Sequence, residues 1–85
     1  MLKVVSDTLE LRGVASNTSK NGKTYYVINA EDNDGTAFQF YCPTYEALPQ
    51  GLKKGEKVRI HFVVKYFNRN ERLEVEKVEK VANGQ

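Results

Sequence analysis

The sequence predicts an all-β fold, a small five-stranded Greek-key barrel, and three features indicate it. A period of two, typical of a strand with one buried face, runs from Val58 to Phe67: Val58, Ile60, Phe62, Val64 and Tyr66 alternate with Arg59, His61, Val63, Lys65 and Phe67. The turn-forming residues 32–35, DNDG, separate two β-rich segments, which is the pattern of a β-hairpin. The chain has 85 residues, the length of a single small domain with a thin core.

The first strand is predicted to be long and bent. Its apolar pattern breaks at Ser6-Asp7 and again at Gly13, and such interruptions mark bends or bulges. The loop that follows, Ser16–Lys23, contains the pair Asn21-Gly22. This pair predicts a type I′ turn, in which both central residues have positive φ.

The other four strands are predicted in order along the chain. The second runs from about Thr24 to Glu31, the third from Thr36 to Cys42, the fourth over the alternating run described above, and the fifth from Leu73 to about Val81. A hairpin loop at 68–71 joins the last two. Between the third and fourth strands, Pro43 ends the sheet and Thr44 is predicted to cap a single helical turn that reaches Leu48.

Five strands with a short helical insert between the third and fourth favour the OB-fold. An SH3-like barrel also has about five short strands. The long bent first strand and the position of the insert favour the OB-fold over it. Residues 1–85 are interpreted as one domain, with 82–85 as a frayed tail.

Composition indicates the cellular compartment of the protein and whether it can contain disulfide bonds or membrane spans. The single cysteine, Cys42, excludes an internal disulfide and favours a reducing compartment. The N-terminus lacks the apolar run of a signal peptide, and no stretch has the roughly 20 apolar residues of a membrane span. A cytoplasmic protein without membrane contact is therefore expected. The net charge of +2 is too small to indicate a partner by itself.

Enzymatic activity is not expected. His61 is the only histidine and lies on the charged face of the fourth strand, where no motif supplies a nucleophile and an orienting acid. Cys42 shares the face of Phe38 and Phe40, so it is interpreted as a buried apolar residue. One cysteine and one histidine do not make a zinc site, and the chain lacks a phosphate-binding glycine loop, so no metal or cofactor is predicted.

Exposed aromatic and basic residues together indicate a single-stranded nucleic-acid surface. If Phe38 and Phe40 point into the core, then Tyr25 and Tyr41 share the outer face of the second and third strands. In OB-folds this face and its flanking loops bind oligonucleotides. The last strand, by contrast, has an acidic outer face (Glu74, Glu76 and Glu79) that nucleic acid should avoid. The candidate stacking residues are Tyr25, Tyr41 and Phe67, and the candidate phosphate contacts are Arg12, Lys20, Lys23, Arg59, Lys65, Arg69 and Arg72.

The segment Ser19–Tyr26, SKNGKTYY, resembles the Ser-Arg-Gln-Gly-Lys-Pro-Tyr stretch of the filamentous-phage gene V type single-stranded DNA-binding proteins. These are OB-fold proteins of nearly the same length that also open with Met, an aliphatic residue, Lys and Val. The resemblance implies that Lys20, Lys23 and Tyr25 occupy DNA-binding positions, and that the protein forms a homodimer and serves phage or mobile-element DNA replication. The glutamates of the last strand depart from that family, and only Phe67 offers a counterpart to its loop aromatic.

The resulting hypothesis is a protein that coats single-stranded DNA with little sequence preference. Two alternatives remain open. In the first alternative the ligand is single-stranded RNA, because no group in the sequence is identified as reading the 2′-hydroxyl and so distinguishing RNA from DNA. In the second, which the low net charge favours, the domain is a protein-interaction module that binds no nucleic acid.

Overall fold

The computed structural model describes residues 2–44, 48 and 51–81; for Phe67 it describes the backbone and not the side chain. The described residues form six β-strands and no helix. These strands are β1 (Leu2–Val5), β2 (Leu9–Thr18), β3 (Thr24–Glu31), β4 (Ala37–Cys42), β5 (Lys57–Phe67) and β6 (Asn70–Lys80).

Five of the strands close into a barrel. Their order is β5-β2-β3-β4-β6, and β6 pairs again with β5. Every pairing among these strands is antiparallel except that of β4 with β6, which are joined in parallel at Tyr41 and Glu74. Strand β1 lies outside this closed set and pairs with β5 from Leu2–Val64 to Val5–His61. The prediction of an all-β barrel is confirmed.

The first strand bends where the sequence predicts it. Its two segments, β1 and β2, are separated at Ser6, whose backbone N–H donates to the Ile60 carbonyl at 2.9 Å. The Ile60 N–H in turn donates to the Ser6 hydroxyl, also at 2.9 Å, so the side chain replaces a backbone acceptor at the bend. The register with β3 shifts between Leu11 and Gly13, which places a bulge at Arg12.

The barrel interior is apolar. Alternation along each strand directs one set of side chains inward, and Cys42 belongs to it, as predicted. Its thiol donates to the Thr44 carbonyl at 3.0 Å, and burial raises the pKa of Cys42. The core cluster consists of Leu9, Leu11, Ile28, Ala30, Phe40, Cys42, Val58, Ile60, Val75 and Val78, and Val63 is buried outside this cluster.

The turn predicted at Asn21-Gly22 is of a different type. Gly22 has positive φ (80°) and its N–H donates to the Ser19 carbonyl at 3.0 Å, whereas Asn21 does not have positive φ. The Ser19 N–H donates to the Lys23 carbonyl at 2.8 Å, which closes a three-residue loop. Such a loop needs left-handed backbone only at its last residue, so glycine is required at position 22 alone.

The two-residue turn occurs instead between β5 and β6. Asn68 and Arg69 both have positive φ (50° and 67°), which is the type I′ pattern. The predicted loop at 68–71 is therefore too long, because Asn70 and Glu71 already pair with β5. The short turn keeps the two strands in register up to its tip.

Two sequence predictions lie outside what the structure describes. The helical turn at Thr44–Leu48 falls on residues 45–47, and the frayed tail falls on residues 82–85. Within the described part of the chain, no helix has the length and apolar character required to cross a membrane.

Candidate nucleic-acid interface

Tyr25 and Tyr41 lie together on the outer face of β3 and β4. The register pairs Ile28 with the buried Phe40 on the inner face, and Val27 with Tyr41 on the outer face. Tyr25 is the diagonal neighbour of Tyr41, and their ring centroids are 5.1 Å apart at an interplanar angle of 37°. Both rings are half-buried, so each keeps an exposed part.

Arg72 of β6 extends this pair across a third strand. Its guanidinium carbon lies 4.5 Å from the centroid of the Tyr41 ring, a cation–π distance. The parallel contact of β4 with β6 brings the two residues together. We refer to Tyr25, Tyr41 and Arg72 as the tyrosine–arginine row.

Open hollows lie on both sides of the row, and Tyr41 lines both. One, of about 660 Å³, lies against the β2–β3 loop and includes Ser19, Lys23 and Tyr25. The other, of about 500 Å³, lies against the β5–β6 turn and includes Gln39, Asn70 and Arg72. Together the two hollows and the row form the surface that we call the groove.

Each end of the groove has a basic loop. Lys20 and Lys23 lie in the β2–β3 loop, are exposed, and form no ion pair with any residue that the structure describes. Arg69 is exposed at the tip of the β5–β6 turn and likewise has no carboxylate partner within the described ranges. These cations are therefore available to an external anion.

Arg12 lies at the opposite end of β2 from the tyrosines. Its bulge faces the end of β3 near Glu31, whereas Tyr25 pairs with Asn17 at the loop end. The guanidinium donates to Glu10 at 2.8 Å and lies 3.8 Å from Glu31. The hydrogen bond from Arg12, with a second from Lys57, lowers the pKa of Glu10. The sequence predicted a phosphate contact here, but the structure gives this cation two internal partners.

Arg59 and Lys65, also predicted as phosphate contacts, lie on the outer face of β5. Arg59 is opposite Glu79, which accepts a hydrogen bond from His61 that lowers the pKa of the carboxylate. Lys65 donates to Glu74 at 2.9 Å, next to Tyr41. Of Arg59 and Lys65, it is Lys65 that lies beside the groove, and its charge is already paired with Glu74.

The remaining predicted stacking residue, Phe67, is the last residue of β5, and its side chain lies outside the described residues. The sequence reasoning did not identify Gln39 and Asn70, which line the hollow beside Tyr41. Alternation along β4 puts Gln39 on the face of Tyr41, but no local signal indicates that Asn70 lines the same hollow, since that depends on the contact of β4 with β6.

No model of a known protein family matches the chain, and no curated protein matches it. Within the described residues there is also no group of three or more His, Cys, Asp or Glu side chains suited to hold a metal ion. The groove combines flat rings, amides and cations, and two carboxylates lie among them: Glu71 lines the hollow at the β5–β6 turn, and Glu74 pairs with Tyr41.

Proposed function

We propose that this protein is an OB-fold domain that binds single-stranded DNA with little dependence on sequence. Its barrel supports the fold assignment when β1 and β2 are taken as one bent first strand. The second and third strands of that barrel are then β3 and β4, and the flanking loops are the β2–β3 loop and the β5–β6 turn. In OB-folds these are the parts that contact oligonucleotides.

The tyrosine–arginine row is the observation that carries the proposal. Every base has a π-face, so a base stacks on an exposed tyrosine ring or guanidinium plane without regard to its sequence. A base sandwiched between two rings needs them roughly 7 Å apart, twice the ~3.5 Å contact distance. Because the tyrosine rings are only 5.1 Å apart and the Arg72 guanidinium carbon is 4.5 Å from the Tyr41 centroid, no base fits between members of the row, and bases stack on the parts of these groups that face solvent.

The cations at the two ends of the groove supply the second contribution to the binding energy, which is neutralisation of the DNA phosphates. Lys20 and Lys23 lie beside the hollow that Tyr25 lines, and Arg69 lies beyond the hollow that Arg72 lines. A strand that crosses the row thus meets unpaired positive charge at each end. Stacking and phosphate neutralisation then act on the same few nucleotides.

A titration of fluorescently labelled oligo-dT, followed by anisotropy, tests the proposal. Each phosphate contact contributes about −0.7 to the slope of log K against log salt for single strands, so three cations give a slope of about −2. We expect affinity to fall accordingly between about 50 and 200 mM salt. Absence of binding, or an affinity that does not change with salt, would contradict the proposal.

Competition with the matching RNA oligonucleotide decides the sugar preference. Preference for RNA would replace DNA by RNA as the ligand and leave the groove as the site. The role in phage or mobile-element replication and the homodimer are implied only by the resemblance to gene V type proteins, and they stay predictions. Sedimentation of the free protein measures its oligomeric state.

A further inference from the structure

An ion pair between Lys65 and Glu74 lies at the edge of the groove. The Lys65 ammonium nitrogen is 2.9 Å from a Glu74 carboxylate oxygen, and Glu74 pairs with Tyr41 across the β4–β6 contact. The Glu74 side chain is 22% exposed and that of Lys65 41% exposed. The same register places Lys65 opposite Arg72. The pair is therefore next to two members of the tyrosine–arginine row.

Lys65 of β5 is opposite Arg72 of β6, so it is the next cation after Arg72 on this face of the barrel. A carboxylate oxygen and a phosphate oxygen are equivalent acceptors for an ammonium group, since both carry negative charge and accept charge-assisted hydrogen bonds. A DNA phosphate that contacts Lys65 must either share the ammonium group with Glu74, against the repulsion between the two anions, or displace Glu74. Displacement leaves a partly buried carboxylate without its partner, so both routes are unfavourable.

We propose that Glu74 occupies the place of a phosphate at Lys65 and thereby limits the affinity of the groove for single-stranded DNA. This inference rests on the proposed function. In the native protein Lys65 contributes no phosphate contact, because its charge is already satisfied. The strand passes over Tyr25, Tyr41 and Arg72 and is held by the loop cations at either end.

The substitution Glu74→Gln tests the inference because it keeps the size of the side chain and removes its charge. Freeing Lys65 adds one phosphate contact, so we expect the salt slope for oligo-dT to steepen by about 0.7. At about 0.1 M salt this corresponds to roughly fivefold tighter binding. Thermal unfolding of the variant confirms that the barrel is intact.

Two further variants separate this effect from general electrostatics. Glu76→Gln makes the same change in net charge on the same strand, where the carboxylate lies 4.0 Å from Lys3 instead of beside Tyr41, and it should leave the slope as in the native protein. The double variant Lys65→Ala/Glu74→Gln has the native net charge and no freed cation. It should return the slope to the native value.

The outcomes distinguish the two proposals. If the native protein does not bind oligo-dT, both are overturned. If it binds but Glu74→Gln has the native slope, or if the double variant keeps the steeper slope, the role of Glu74 is overturned and the proposed function stands.

Discussion

The two faces of the β3–β4 hairpin have similar aromatic content and opposite roles. On the inner face, Phe40 is 2% exposed and packs edge-to-face against Phe62 with a centroid distance of 5.2 Å. On the outer face, one residue further along β4, Tyr41 is half-exposed and contacts Tyr25 and Arg72. A one-residue step in a strand therefore separates a residue that stabilises the barrel from one available to a ligand.

This difference implies that stability and binding can be changed separately. Inner residues are already saturated with protein contacts, so a ligand cannot use them. Outer residues contribute less to folding because part of each ring faces water. Substitutions on the two faces should accordingly affect different measurements.

The largest expected effect is the loss of folding stability when an aromatic residue of the inner face is removed. Phe40→Ala removes a fully enclosed ring, and such changes lower the free energy of unfolding by about 3–5 kcal/mol. A domain of 85 residues has little stability to spare, so urea denaturation should show a much lower midpoint. A loss below about 1 kcal/mol would mean that the core is not packed as described.

On the outer face, Tyr41→Ala should weaken oligo-dT binding by about 1–3 kcal/mol, the energy of stacking one base. The loss of unfolding free energy should be smaller than for Phe40→Ala. The matched control is Tyr66→Ala, because Tyr66 is 74% exposed, is not a member of the tyrosine–arginine row and lines neither hollow. Equal loss of binding in both variants would contradict the assignment of the stacking surface.

The lysines of the β2–β3 loop can be tested through the salt dependence of the oligo-dT affinity. Lys20→Ala/Lys23→Ala removes two phosphate contacts and should reduce the magnitude of the salt slope by about 1.4. The control Lys53→Ala/Lys54→Ala removes the same charge from the turn whose Gly55 N–H donates to Leu11, at the far end of β2. The control should keep the native slope. A similar change in both variants would show that only net charge matters.

The smallest expected effect concerns acid stability. Hydrogen bonds from Arg12 and Lys57 lower the pKa of Glu10 in the folded state, so this carboxylate stabilises the fold above its unfolded-state pKa. That contribution is lost as pH falls through the folded-state pKa. Glu10→Gln should therefore flatten the decline of the melting temperature with acidification and leave oligo-dT affinity unchanged. A steeper decline in the variant would contradict the described pairing.

Much of the local structure could be predicted because strand periodicity is a local property. The positions of β3 and β4, the bends of the first strand and the common face of Tyr25 and Tyr41 all follow from alternation and from Ser6 and Gly13. The turn at Gly22 was assigned the wrong type because an Asn-Gly pair fits both two- and three-residue hairpin loops.

The electrostatic partners could not be predicted, because they depend on which distant strands become neighbours. Arg72 is near Tyr41 only because β6 lies beside β4. Lys65 and Arg12 have the same charge in the sequence as Lys20, yet the register of the barrel brings a carboxylate of a neighbouring strand to each of them, Glu74 and Glu31 respectively. Sequence alone counts all these cations alike, whereas the structure separates paired from unpaired ones.

The most direct test of the stacking surface is an NMR titration of the tyrosine ring protons with oligo-dT. Stacked bases shift ring protons upfield, so the Tyr25 and Tyr41 signals should move and saturate with the oligonucleotide while those of Tyr66 stay in place. Binding that leaves the Tyr25 and Tyr41 signals unmoved would contradict the account.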